Sequence, residues 1–191
     1  MKKLTLMMLS LALFAACSKE SDDLATPVSS NNAVEKSLTP RTRPFEAVLS
    51  AEVDANSINP PTACSGDAPF AAPDFVLSGD VSHLGHIQLS TLHHDACNLS
   101  LANLPFLLTT NVSGQITGAN GNLIYYTGED VVDVTSFALQ QPNPTGSITG
   151  TWTITGGSGR FAGATGTFTI DGTVDFATNT FTCVAVGTIT Y

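Results

Sequence analysis

The chain's four histidines, His83, His86, His93 and His94, all fall in "HLGHIQLSTLHH". Clustered imidazoles can bind zinc. On one continuous strand, however, His86 and His94 share a face but lie about 27 Å apart at ~3.4 Å per residue, too far to chelate. His83 and His86 straddle a turn at Gly85. All four are expected at hairpin ends, in water, with no metal. A second stretch, "TGEDVVD", offers Glu129, Asp130 and Asp133. Three carboxylates near a turn suit Ca²⁺, but the interleaved Asp/Asn and Gly of a calcium loop are missing. The third stretch, 156–166, reads "GGSGRFAGATG" and carries one charge, Arg160. A phosphate cradle needs a helix after the glycines. Here a strand pattern follows. Arg160 could hold a carboxylate or an oxyanion, yet no base stands near it in sequence. No catalytic residue is assigned and no cofactor is expected. The glycines read as a turn whose left-handed positions need them, with Phe161 tucked into the end of the fold.

The elements around these residues are strands. In "PFEAVLSAEVD", Phe45, Ala47, Leu49, Ala51 and Val53 alternate with Glu46, Ser50, Glu52 and Asp54. In "SITGTWTITG", Ile148, Trp152 and Ile154 alternate with threonines. In "TGTFTIDGTVDF", Phe168, Ile170, Val174 and Phe176 do the same. Period two with one dry face marks half-buried strands. Further strands are expected over 74–82, 85–92, 106–117, 122–127, 131–139 and 180–191. Nowhere does a convincing helical period appear. The fold class is all-β. Short sequential connections favour a single antiparallel β-barrel of about eight strands over a sandwich. Glycines inside strands, such as Gly150, Gly172 and Gly187, fit bends and bulges.

"GTWTITGGSGRFAGATGTFTIDGTVDF" resembles the C-terminal half of bacterial secreted proteins with an allene-oxide-cyclase-like barrel, and its turn is similar to that of plant dirigent proteins. "SGDVSHLGHIQLS" and "GQITGANGNLIYYTGE" resemble the first and central hairpins of that bacterial group. The likeness covers roughly 74–191 and implies the barrel. The relatives it implies include a cyclase of an oxidised lipid and proteins that steer phenolic radical coupling. None of their functional residues maps onto a position here, and fold alone does not carry function.

The N-terminus sets location. Lys2 and Lys3 precede the apolar run Leu4–Ala16, then Cys17. Residues 1–16 read as a secretory signal. The cysteine behind Ala15 and Ala16 resembles a bacterial lipobox, with Phe14 where Leu is usual, which implies lipidation of Cys17. Residues 17–43 read as a flexible, lipidated tether, and 44–191 as the barrel domain. Acyl chains anchor such a protein without a spanning helix. Ser18 after the cysteine resembles an outer-membrane address of a Gram-negative cell. Glu20, Asp22 and Asp23 resemble a surface-export tag.

From Pro44 onward there are twelve Asp or Glu against the single Arg160, a formal charge of −11. Nucleic acid is excluded as a partner, because phosphate contacts need clustered Lys and Arg. Oxidising surroundings permit a disulfide among Cys64, Cys97 and Cys183. The turn-like settings of Cys64 and Cys97 favour that pair. The sequence leaves oligomeric state open.

The leading expectation is a non-enzymatic barrel that takes a small apolar or aromatic ligand, or a surface partner. Trp152, Phe168, Phe176, Tyr126 and Arg160 are its expected lumen contacts. The alternatives are an isomerase or cyclase of an oxygenated lipid or polyketide, with a carboxylate or Tyr in the barrel mouth, and a structural envelope protein.

Overall fold

The computed structural model describes residues 39–58 and 73–191. The signal, Cys17, most of the tether and Cys64 lie outside them.

Eight antiparallel strands form a closed barrel in chain order. They are β1 (Thr42–Ile58), β2 (Pro73–Val81), β3 (Gly85–Ser100), β4 (Leu107–Thr117), β5 (Leu123–Asp133), β6 (Thr145–Gly157), β7 (Thr165–Asp175) and β8 (Thr180–Thr190). β8 pairs along β1, with Val184 opposite Val48, so no sheet edge is left open. The barrel begins at Thr42, where that residue faces Thr190, slightly before the expected boundary.

The alternating residues do what the pattern predicts. Phe45, Leu49, Ile148, Trp152, Ile154, Phe168 and Ile170 are buried, while the threonines of β6 and β7 face solvent. Two expected strands, 122–127 and 131–139, are corrected. β5 runs unbroken through Gly128 to Asp133. A short helix, α1 (Thr135–Ala138), follows. Just before it, the Asp133 carboxylate accepts from the Thr135 N–H at 2.9 Å.

The ends of the barrel differ. At the glycine-loop end lie the turns β2–β3, β4–β5 and β6–β7, with Tyr191. Phe161, Ala164 and Ile189 are fully buried there and plug the barrel. At the helix end lie α1 and the segments joining β3–β4 and β7–β8. Six of the seven half-buried apolar residues that pack on the core gather at this end: Phe75, Leu99, Phe106, Leu108, Val174 and Phe176.

β3 holds the decisive irregularity. Leu77 faces Ser90 but Gly79 faces Ile87, so β3 gains one residue on β2. A bulge of this kind switches which side chains point inward. Ile87 points in before it; Ser90, Leu92, His94 and Ala96 point in after it.

Candidate functional site

That switch places His94 inside the barrel, with only 6% of its surface exposed. His86 stays outside, paired with the exposed Asp80 at 3.1 Å. The two therefore do not share a face. The expectation of solvated hairpin-end histidines fails for His94 because strict alternation does not survive an inserted residue. His93 and His94 lie within β3. His93 faces outward between Asp74 at 2.6 Å and Asp95 at 3.2 Å. His83 sits in the β2–β3 turn, where its Nε2–H donates to the Pro44 carbonyl at 2.8 Å.

The acidic trio is also separated. Glu129 and Asp130 point to opposite sides of β5, and Asp133 accepts from the Thr135 N–H beside α1. They do not converge on a cation. Asp130 instead enters the lumen with no exposed surface. Its Oδ1 accepts the Trp152 Nε1–H at 2.6 Å. Its Oδ2 lies 3.4 Å from His94 Nε2, outside hydrogen-bonding geometry. Thr110, its cross-strand neighbour on β4, also points inward and is buried. His94 Nδ1, Asp130 Oδ2 and Thr110 Oγ1 are all buried without a hydrogen-bond partner. Buried polar atoms are nearly always paired, so three orphans in one place mark this cluster.

Aromatic rings surround the cluster. Tyr126 stacks on Trp152, centroids 4.7 Å apart and ring planes nearly parallel, and Phe168 meets Trp152 edge-on at 5.6 Å. Phe75 and Phe181 meet the His94 ring edge-on at 5.1 and 6.4 Å. Inward glycines make room for this packing. Tyr126 crosses β4 at Gly114 to donate its O–H to the Thr91 carbonyl at 3.0 Å. A Cβ on Gly114 would stand 2.6 Å from that hydroxyl. The Trp152 ring lies over Gly128, and Asp130 lies over Gly150.

Gly150 gives a direct test. An added Cβ would stand 2.0 Å from Asp130 Oδ1 and 2.5 Å from the Glu129 carbonyl. Gly150→Ala is expected to cost about 1–3 kcal/mol by overpacking, read by urea denaturation. An unchanged midpoint would mean that Asp130 does not occupy this trough.

Burial first, and then the Asp130 charge, push the Cys183 thiol from its ordinary 9.0 up to about 12. The same two causes raise the Tyr126 phenol. A group neutral when folded but ionised when unfolded stabilises the fold below its unfolded pKa and loses that contribution as pH rises towards the folded one. Stability is therefore expected to fall from pH 9 to 12, by up to about 1.4 kcal/mol per pH unit per group. Cys183→Ala should flatten that fall in a denaturation series against pH; an identical slope in the variant would reject the assignment.

The remaining sequence candidates are placed as follows. Trp152, Tyr126 and Phe168 are lumenal. Arg160 is not: it is exposed at the glycine-loop end, its guanidinium 4.8 Å from the Phe161 ring centre. Phe176 lies past the end of β7 and packs on the exposed Phe137 of α1 at 5.3 Å. Strand alternation cannot extend to either residue, because both lie outside strands. Cys97 occupies a bulge of β3 and not a turn. It is disulfide-bonded, with its partner outside the described residues; Cys64 is outside them too. Cys183 is a free, buried thiol. On the outer wall, a groove of about 470 Å³ runs beside Val48, Val184 and Val186, flanked by Glu46 and Asp80.

Set against known protein families, curated proteins and solved structures, the chain matches none.

Proposed function

We propose that the helix end of the barrel binds a small, largely apolar or aromatic molecule, held at its inner tip by the His94–Asp130–Thr110 cluster. One observation carries the reading: three buried polar atoms without partners beneath a rim of half-buried apolar side chains. Binding sites commonly combine apolar walls with a few convergent polar groups. The outer groove has apolar walls but no buried polar group to orient an occupant, so the lumen is preferred.

Native mass spectrometry of the full chain, purified without denaturant, tests the reading. A bound mass that leaves on unfolding is the expected result. A clean unliganded mass after gentle extraction, with no uptake of added small apolar molecules, would overturn it.

A second reading is catalysis. His94 has a carboxylate near one ring nitrogen and nothing on the other, which is how a general base is oriented. An isomerase or cyclase of a neutral oxygenated substrate fits that pair. Turnover that disappears in His94→Gln while binding persists would favour it over simple binding.

We further propose that the barrel is carried as a lipoprotein on Cys17, at the outer membrane of a Gram-negative cell. The support is the signal pattern of residues 1–17. Labelled palmitate should enter the chain and fail to enter Cys17→Ser; equal labelling of both would reject the anchor.

A further inference from the structure

We infer that the lumen selects ligands bearing a hydrogen-bond donor, neutral or cationic, on an apolar body, and rejects carboxylates and other anions. This rests on the lumen-binding reading above and names its ligand class.

The first argument is the hydrogen-bonding inventory. Asp130 Oδ2 can only accept while the carboxyl is ionised. With the His94 ring proton on Nε2, the nitrogen nearer that carboxylate at 3.4 Å, Nδ1 is left as an acceptor. Both are buried and unpartnered. Thr110 Oγ1, the third orphan, can donate or accept. At least two of the three unpartnered atoms are therefore matched by a donor on the ligand.

The second argument is the distribution of charge. Beyond Arg43 the only Lys or Arg in the chain is Arg160. Arg41, Arg43 and Arg160 all belong to the glycine-loop end. Arg41 exchanges backbone hydrogen bonds with Tyr191. Arg43 sits 5.7 Å from the Tyr191 ring centre, and Arg160 lies over Phe161. A ligand carboxylate entering the helix end would meet the Asp130 charge in a poorly screened interior, with no Lys or Arg of the described residues there to offset it. A protonated His94 would already be matched by Asp130. An ammonium or hydroxyl group meets the opposite situation. The rings of Phe75 and Phe181 beside His94 add attraction for a cation. The acidic domain also favours cation approach.

The test uses the full chain at neutral pH and matched probes. An amine, an alcohol and a carboxylate are each offered on a phenylbutyl and on a decyl body. Binding is read by calorimetry and by the fluorescence of Trp152, the chain's single tryptophan. The amine and alcohol are expected to bind at least about tenfold more tightly than the carboxylate of the same body, a difference of about 1.4 kcal/mol. In Asp130→Asn the amine should lose its advantage over the carboxylate. A carboxylate that binds as well as its amine and alcohol counterparts overturns the inference and leaves lumen binding standing. Silence from every probe on both bodies overturns lumen binding itself. The head-group comparison on the unmodified chain decides even if Asp130→Asn does not fold.

Discussion

Trp152→Ala is expected to lower the unfolding free energy by about 4–8 kcal/mol, the largest loss from any single side chain of the barrel. Two costs combine. Removing a fully buried indole opens a cavity, and large aromatic truncations cost about 3–5 kcal/mol. The same change removes the Nε1–H donor at 2.6 Å from Asp130 Oδ1, and an orphaned buried acceptor costs about 1–3 kcal/mol more. Small domains have only about 5–15 kcal/mol in total, so this variant should sit near its unfolding threshold at room temperature. Trp152→Phe separates the costs. It keeps most of the ring against Tyr126 and Phe168 and loses the donor alone, for an expected drop of about 1–3 kcal/mol. Urea denaturation followed by circular dichroism suits both variants, because each lacks the chain's only tryptophan. A Trp152→Ala loss below about 1 kcal/mol would show that the indole is not the core of the lumen packing.

The barrel itself is written in the sequence as period-two alternation. β1, β6 and β7 need nothing else, since each places large apolar residues on one parity and threonines or acids on the other. The candidate site is less legible, for two separate reasons. The β3 bulge has no signature in "GHIQLSTLHH": no glycine or proline marks the inserted residue, and only pairing with β2 reveals it. Without it, His94 falls on the solvent side. Asp130 is a different case, because its signal was present. Ile124, Tyr126, Asp130 and Val132 share one parity, and Tyr126 is expected inward. Gly128 reads as a strand break and hides the continuity. In the fold Gly128 is a gap in the inner wall that the Trp152 ring fills, so a residue that weakens a strand locally is kept for a tertiary contact. Thr110 shares the inward parity of Val112 and Ile116, but a threonine among apolar neighbours gives no reason to single it out. The α1 turn escapes periodicity altogether, being a single turn of four residues.

The second large effect concerns whether the His94–Asp130 pair holds the barrel together or exists for something else. A buried charge stripped of its partner costs about 3–5 kcal/mol, whereas replacing both partners by neutral groups of similar size is often neutral or stabilising. His94→Leu is therefore expected to cost about 3–5 kcal/mol, because Asp130 keeps only the Trp152 donor. Asp130→Asn retains an acceptor for that donor and should cost less. The double variant His94→Leu with Asp130→Asn should recover at least half of the loss, giving a coupling of about 2–3 kcal/mol in a double-mutant cycle. The geometry already points this way. The pair lies at 3.4 Å with two of its own polar atoms and the neighbouring Thr110 hydroxyl unpaired, and apolar packing would serve stability better. Such destabilised constellations persist where activity or binding needs them. A double variant as stable as the parent that no longer takes a donor-bearing ligand would identify the pair as functional. A double variant that loses the sum of the single effects would show no coupling, and His94 and Asp130 would then be separate structural residues.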